Sequence, residues 1–416
     1  MNDRKSWYAG VDWASKNHHV RLIDGDGRSL GERTFKHDGQ GLAAMADWLM
    51  ATSGAEQPAD IAVAIEVPHG PIVETLLERS FAVHALNPKQ MDRFRDRYSP
   101  AGAKDDSRDA LVMASAMRTD PHCFRRLAAA DPVVIELREW SRIAEQLGEQ
   151  RTQQANRLRE QLWRYFPAFL DLDADLAAPW MLELWSAVPT PQKTRRVSNT
   201  TITNILKRNR IRRFDADKLL AILRQPHIPV APGTGEAAQA HIALLVENLR
   251  LINRQIAHAH HQLDQLPKRL AADQPADDEP APGQLEQRDV VILTSLPGLG
   301  RINRATLLAE ATDALQRRDY PVLRALTGVA PVTRRSGKAC SVVRRFACNK
   351  RLANAVYHWA RTASQHDPIS KAKYVALRAR GKSHGHALRV VADRLLNVAC
   401  AMLRDGTTFK KASHPI

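Results

Sequence analysis

Read from the amino terminus, the apolar positions first fall into short alternating runs. Trp7 to Trp13 and His18 to Asp24 predict two strands joined by a short turn, and Gly25-Asp26-Gly27 predicts the turn into a third strand running through Thr34. The spacing becomes helical from Gly41 to Met50. The continuous apolar run Ile61 to Ile65 predicts a buried strand, Pro71 to Arg79 a helix, and Ala82 to Leu86 a last strand. Three strands in hairpin succession, then helices and strands in alternation, predict an α/β domain with a mixed sheet covered by helices. That is the order expected of a ribonuclease-H-like fold.

Beyond residue 130 the period is helical. Ile242, Leu245, Leu249, Ile252, Ile256, Ala259, Leu263 and Leu266 recur in steps of three and four, which is a heptad seam. Leu137, Trp140, Ala144, Leu147 and Leu158 form a weaker seam with a polar middle. Two long helices separated by a helical insert are expected to pair as an antiparallel coiled coil that also joins protomers into a dimer or tetramer; the plainer alternative is a spacer with a buried stripe. A stretch rich in Pro, Asp and Glu then predicts a flexible linker. The expected division is residues 1–130 as the α/β domain, 131–272 as the helical coiled-coil region, 273–286 as the linker, and 287–416 as a mainly α C-terminal domain.

Composition narrows the class. With 416 residues, 44% hydrophobic and 25% charged, the chain can build more than one ordinary core, so disorder is not the expectation. The net charge of +16 is the departure, and nucleic acid is the most abundant acidic partner for it. Cys123, Cys340, Cys348 and Cys400 are scattered, which predicts reduced thiols rather than disulfides or a zinc site. The histidines of His384-Gly385-His386, and His258, His260 and His261, lack metal-site spacing. No apolar run approaches a membrane span, and the opening Met-Asn-Asp-Arg-Lys carries no leader pattern, so a cytoplasmic, nucleoid-associated protein is expected.

Two constellations carry candidate chemistry. Asp12 ends the first strand and Glu66 ends a later buried one. Asp106 and Asp109 share one face of a helix opened by Lys104-Asp105-Asp106-Ser107-Arg108-Asp109. Singly, each acid has a plainer role, as a turn, a helix cap or an ion-pair partner. Together, strand-Asp, strand-Glu and helix-Asp-x-x-Asp point to a divalent-cation site, such as two Mg²⁺ ions about 3.5–4 Å apart in phosphoryl transfer.

The second constellation is basic. No acid occurs between Tyr320 and His366, while Arg324, Arg334, Arg335, Lys338, Arg344, Arg345, Lys350, Arg351 and Arg361 do. Such a one-sided stretch reads as a phosphate-binding surface. Ser336 lies within it, either as a nucleophile among cations or as a plain loop serine. Leu296-Pro297-Gly298-Leu299-Gly300 is similar to the turn of a helix-hairpin-helix, whose glycines let backbone amides approach a phosphate; the alternative is a plain helix–helix turn, which Pro-Gly-x-Gly also marks.

Gly10-Val11-Asp12-Trp13-Ala14-Ser15-Lys16, Ile65-Glu66 and Lys104-x-Asp106-x-x-Asp109-Ala110 resemble the N-terminal domain of the insertion-sequence-one-ten transposases, relatives of the Piv DNA invertase. The segment from Leu296 through Ala309-Glu310, Gly328-x-x-Pro331 and Arg335-Ser336-Gly337 resemble that family's C-terminal domain. The resemblance covers the first and last thirds of the chain. It implies a RuvC-like domain whose DEDD tetrad, Asp12, Glu66, Asp106 and Asp109, binds Mg²⁺. It implies a nucleophilic serine, Ser336, that attacks double-stranded DNA covalently, and a structured bridge RNA that pairs with donor and target. Asp105 stands where a threonine is common, which leaves Asp105 and Asp106 as alternatives, and Cys348-Asn349 stands where Gly-Asn is usual.

The expected function is therefore a DNA transposase and recombinase of an insertion sequence. The alternative is a structure-selective, metal-dependent DNA nuclease without a covalent serine. An actin-like kinase is disfavoured by the positive charge and by the lack of a second Gly-rich loop. A non-catalytic nucleic-acid scaffold would show no Mg²⁺-dependent cleavage.

Overall fold

The computed structural model describes residues 7–98, 105–128, 132–272, 282–337 and 339–409. The chain forms two compact units, residues 1–130 and 131–416.

The N-terminal unit runs β1 (Trp7–Trp13), β2 (Asn17–Asp24), β3 (Ser29–Lys36), α1 (Gly39–Ser53), β4 (Ile61–Ile65), α2 (Pro71–Glu78), β5 (Ala82–Ala85), α3 (Pro88–Tyr98), α4 (Asp106–Thr119) and β6 (Arg125–Arg126). The sheet order is β3-β2-β1-β4-β5-β6. β1, β2 and β3 are antiparallel neighbours, β4 and β5 run parallel to β1, and β6 closes the edge antiparallel to β5. This is the mixed sheet that the alternating and continuous apolar runs predict. α1 begins two residues before the expected start because Asp38 caps it, accepting from the Gly41 amide at 2.7 Å, and it ends where Gly54 turns left-handed.

Each face of the sheet buries its own core. Ala9, Val11, Leu22, Val63 and Ile65 pack with Met45 and Leu49 of α1 and Ile72 and Leu76 of α2. Tyr8, Ile23, Ala62 and Ala64 pack with Met91 of α3 and Val112, Met113 and Ala116 of α4. Neither α3 nor β6 was expected. α3 is nearly all polar; among its described side chains only Met91 and the half-buried Phe94, three residues apart, pack in the core, so it lacks an apolar period to read.

His18 is fully buried on β2, with Nε2 2.8 Å from His37 Nδ1. Burial, and after it the neighbouring His37, pushes the His18 imidazole below its ordinary 6.5. The folded state therefore takes up this proton less readily than the unfolded chain. The associated stability is present above about pH 6.5 and is lost as pH falls through the window below it. Thermal melts should show the midpoint of this unit falling between neutral pH and about pH 5, and His18→Gln should flatten the fall. A wild-type midpoint that stays level across the window would show that this histidine does not govern acid stability.

The C-terminal unit opens with α5 (Pro132–Tyr165), followed by α6 (Pro179–Ala187), α7 (Asn199–Arg208), α8 (Ala216–Leu223), α9 (Thr234–Ala272), α10 (Pro282–Ser295), α11 (Arg301–Glu310), α12 (Thr312–Gln316) and α13 (Tyr320–Leu326). A hairpin of β7 (Val332–Ser336) and β8 (Ala339–Val343) precedes α14 (Lys350–His366), α15 (Pro368–Ala379) and α16 (His384–Asp405). The two long helices pair antiparallel: Glu136 meets Arg269 at 3.1 Å, and Arg151 meets Asn253 at 2.8 Å. Among the described residues no helix is long and apolar enough to cross a membrane.

Two cores sit at opposite ends of the α5–α9 pair. Leu158, Leu162 and Phe166 pack with Trp180, Trp185, Ile202 and Leu219 of the insert and with Ile242, Leu245 and Leu249 of α9. At the other end Leu137 and Ala144 join Ala259, Leu263 and Leu266, and these pack into the same core as Leu293, Leu307, Trp359 and Leu395. At this end the helical region packs into one core with the C-terminal region, α10 and α11 lying against α9. Of the expected linker 273–286, residues 273–281 lie outside the described residues, and from Pro282 the chain is helical.

Candidate active site

β1 and β4 run parallel, and their last paired residues are Val11 and Ile65. Asp12 and Glu66 are the next residues along these adjacent strands. They stand at the carboxyl edge, where open α/β sheets hold ligands. Alternation along β1 puts Asp12 on the same face as Tyr8 and Gly10, the face that α4 covers. Gly10 makes the close approach possible: a Cβ there would lie 1.9 Å from the Ala110 carbonyl oxygen and 2.8 Å from the Ala114 nitrogen. Only glycine lets α4 lie this close to β1, and Asp109 precedes the contact residue Ala110.

Asp105 is the N-cap of α4, and its side chain accepts from the Ser107 amide at 3.4 Å. That occupies Asp105 with the helix end and leaves Asp106 and Asp109, three apart on one face, as the helical pair. Asp106 is exposed, Asp12 and Glu66 are half-buried, and Asp109 is 1% exposed.

The buried Asp109 has a partner the sequence did not suggest. Arg95 of α3 grips both its oxygens, from Nε at 2.6 Å and Nη2 at 2.9 Å, while Nη1 donates to Asp92 at 2.7 Å. The hydrogen bonds to Asp109 hold the Arg95 guanidinium above its ordinary value. The charges of Asp109, Asp92 and Glu66 act in the same sense, against the opposing effect of burial. Glu66 and Asp109 thus act on one cation. The donor set is oxygen only, which suits a hard divalent ion such as Mg²⁺. In the present arrangement, however, Arg95 neutralises Asp109, and among the described residues no three acidic, His or Cys side chains are gathered to share an ion.

Ser336 stands at the tip of the exposed β7–β8 hairpin, paired with Ala339 across a turn in which Gly337 has φ +55°. Alternation puts Arg334 and Ser336 on one face, with Ser341 opposite Arg334, and sends Arg335 to the other face. Among the described residues, the cation on the Ser336 face of the hairpin is therefore Arg334. Lys338 lies outside the described residues.

The acid-free segment divides into two groups. Arg334, Arg335, Arg344 and Lys350 are exposed. Arg345 is half-buried, with Nε donating to the Ala330 carbonyl at 3.3 Å. Arg351 instead ties helices together, meeting Glu145 at 2.6 Å, Glu310 at 2.8 Å and Ser141 at 2.9 Å. Arg324 is held by both oxygens of Asp393, at 2.6 and 2.8 Å. The 296–300 turn joins α10 to α11. Gly298, at φ +74°, packs against α14, where a Cβ would lie 2.6 Å from the Ala363 nitrogen. Its conformation serves helix packing, and Arg301 at the start of α11 pairs with Asp264 at 2.6 Å.

Comparison with known proteins is consistent along the chain. Residues 9–167 match the DEDD transposase family of IS110, and residues 290–375 match the family described as Transposase IS116/IS110/IS902. The Streptomyces coelicolor protein named "Mini-circle putative transposase for IS117" is 33% identical over the whole chain and 98% of its own length. The chain belongs to the IS110 family of transposases. Another relative of this transposase, "Putative transposase y4uE" of Sinorhizobium fredii, is 68% identical over 52% of the chain; the aligned stretch spans 60% of that relative. The Mycobacterium paratuberculosis "Insertion element IS900 uncharacterized 42 kDa protein" is 25% identical over 98% of both chains.

Within the transposase, sequence reasoning missed two partners. Arg95 is three residues from Asp92 on a charged helix, a spacing that marks a helix face but names no partner across the fold. Asn349 caps α14 through the Arg351 and Leu352 amides and also donates to Glu310 at 3.1 Å. The asparagine of Cys348-Asn349 therefore fixes the helix start.

Proposed function

We propose that this IS110-family transposase cuts and rejoins double-stranded DNA for an insertion sequence, with a RuvC-like acidic site and a covalent link to Ser336. The observation that carries the reading is the Val11–Ile65 register, which sets Asp12 beside Glu66 at the sheet edge, while Gly10 brings the helix of Asp106 and Asp109 onto the same face. The sheet order, three antiparallel strands and then two parallel to the first, supports the RuvC-like assignment.

Asp12, Glu66, Asp106 and Asp109 are the residues that would hold Mg²⁺, with Arg95 released from Asp109. A bound Mg²⁺ supplies charge neutralisation at the scissile phosphate. At Ser336 the Oγ–phosphorus bond forms as the bond from phosphorus to the leaving deoxyribose oxygen breaks, and the serine proton passes to that oxygen. Attack by a deoxyribose hydroxyl then reverses the step and rejoins DNA. Arg334, on the same hairpin face, is placed to stabilise the crowded phosphate. Arg335, Arg344, Arg345 and Lys350 bind the nucleic-acid backbone, together with Lys338. A structured bridge RNA is the proposed guide, and the α5–α9 pair the proposed contact between protomers.

The test is trapping. Full-length protein incubated with Mg²⁺ and nicked suicide DNA should yield a slow species on a denaturing gel that protease removes. Efficient cleavage with no such species at any time would favour the metal-dependent nuclease instead.

A further inference from the structure

A cavity of about 170 Å³ opens where the chain leaves β8, walled by the Gly328 turn, by Tyr357 of α14 and by the first turns of α16. Its charged lining is all positive: Arg344, Arg345 and Arg389. Arg389 reaches over Gly385, with Nη1 3.5 Å from where a Cβ would lie. Among the described residues none of the three arginines has a carboxylate partner, unlike Arg301, Arg318, Arg324 and Arg351, each of which is ion-paired. Burial, and then the charge of Arg344, pushes the Arg389 guanidinium below its ordinary value. A confined cationic group beside another cation is stabilised by an anion, and the amino-terminal end of α16 adds to the positive potential.

Phe346 adds a second feature. It is 78% exposed, and the Arg344 guanidinium lies 5.3 Å over its ring. A lone exposed apolar residue needs no explanation. Here, however, the cation over the ring also lines the anion cavity. Cations that hold a backbone phosphate, next to an aromatic ring with an open face, form the pattern on which single strands bind, because every unpaired base offers a face for stacking. A base still inside a duplex offers none.

We propose that this site binds an unpaired nucleotide of a nucleic-acid strand, its phosphodiester held by Arg344, Arg345 and Arg389 and its base stacked on Phe346. The inference rests on the reading that the protein handles DNA. It adds a single-strand subsite, with Arg389 from beyond the basic stretch and Phe346 as an aromatic within it. Opened DNA and the single-stranded part of an RNA share the chemistry.

The test measures binding of full-length protein to labelled short oligothymidylate, to oligouridylate of the same length and to a matched duplex, by fluorescence anisotropy. Phe346→Ala should weaken single-strand binding about 5- to 100-fold and duplex binding much less, and Phe346→Trp should retain affinity. Arg389→Gln should lower the log–log salt slope on the single strand by about 0.7. A preference for either strand type supports the site and names its source. Equal losses on duplex and single strand with Phe346→Ala, no loss at all, or failure of Phe346→Trp to retain binding would each overturn the proposal. Wild-type protein that binds duplex but no single strand overturns this subsite alone, whereas protein that binds neither overturns the DNA-handling reading beneath it.

Discussion

Ser336→Ala is expected to remove the covalent protein–DNA species entirely and strand rejoining with it, while leaving the fold and duplex binding in place. The side chain is exposed at a hairpin tip, where a substitution of this kind usually changes stability by no more than about 0.5 kcal/mol. Loss of activity could not then be ascribed to unfolding. Ser341 is the control, since it lies on the same hairpin face, opposite Arg334. Ser341→Ala should still form the adduct. Asp12→Asn should also lose the adduct, because the scissile phosphate is no longer prepared for attack. A species that survives in Ser336→Ala and disappears in Ser341→Ala would move the nucleophile across the hairpin.

Arg95→Ala should destabilise the N-terminal unit by about 3–5 kcal/mol, the usual result of leaving a buried charge without its partner. Asp109 is 1% exposed and the Arg95 side chain 25%, so solvent screening relieves little of this. Asp109→Asn in the same background should recover part of the loss, since the orphaned charge is then gone. Millimolar Mg²⁺ should raise the melting midpoint of Arg95→Ala more than that of the wild type, because a cation can take the oxygens that the guanidinium held. Thermal melts with and without Mg²⁺ provide the measurement. An equal Mg²⁺ response in the two proteins would show that Asp109 does not take part in holding the ion.

β1, β2, β4 and β5 were legible from their buried positions and β3 from the Gly25-Asp26-Gly27 turn before it, and the observed ends differ from the expected ones by a few residues at most. Asp12 and Glu66 could be read for the same reason: a buried strand that stops on an acid places it at an edge. The hairpin bearing Ser336 could not be read this way, since Thr333 to Ser336 are all exposed and no alternation of burial exists. β6 is two exposed arginines paired through backbone alone, which leaves no side-chain signal. The acid-free stretch misled for Arg351 and Arg324, because their carboxylates come from α5, α11 and α16, far along the chain. Local charge counting sees sequence neighbours, whereas ion pairs form between spatial ones.

The antiparallel pair of α5 and α9 has a mechanical consequence. α5 has 34 residues and so extends about 50 Å at 1.5 Å per residue. Its two cores lie on either side of a largely polar middle, between Ala144 and Leu158. The pair is then a strut whose length also sets a phase. One residue added to the middle of both helices would swivel one core by about 100° relative to the other, and seven would almost restore the original facing. Drift in this segment should therefore be tolerated far more readily as substitution than as insertion or deletion, since an altered side chain leaves the angle between the two ends untouched.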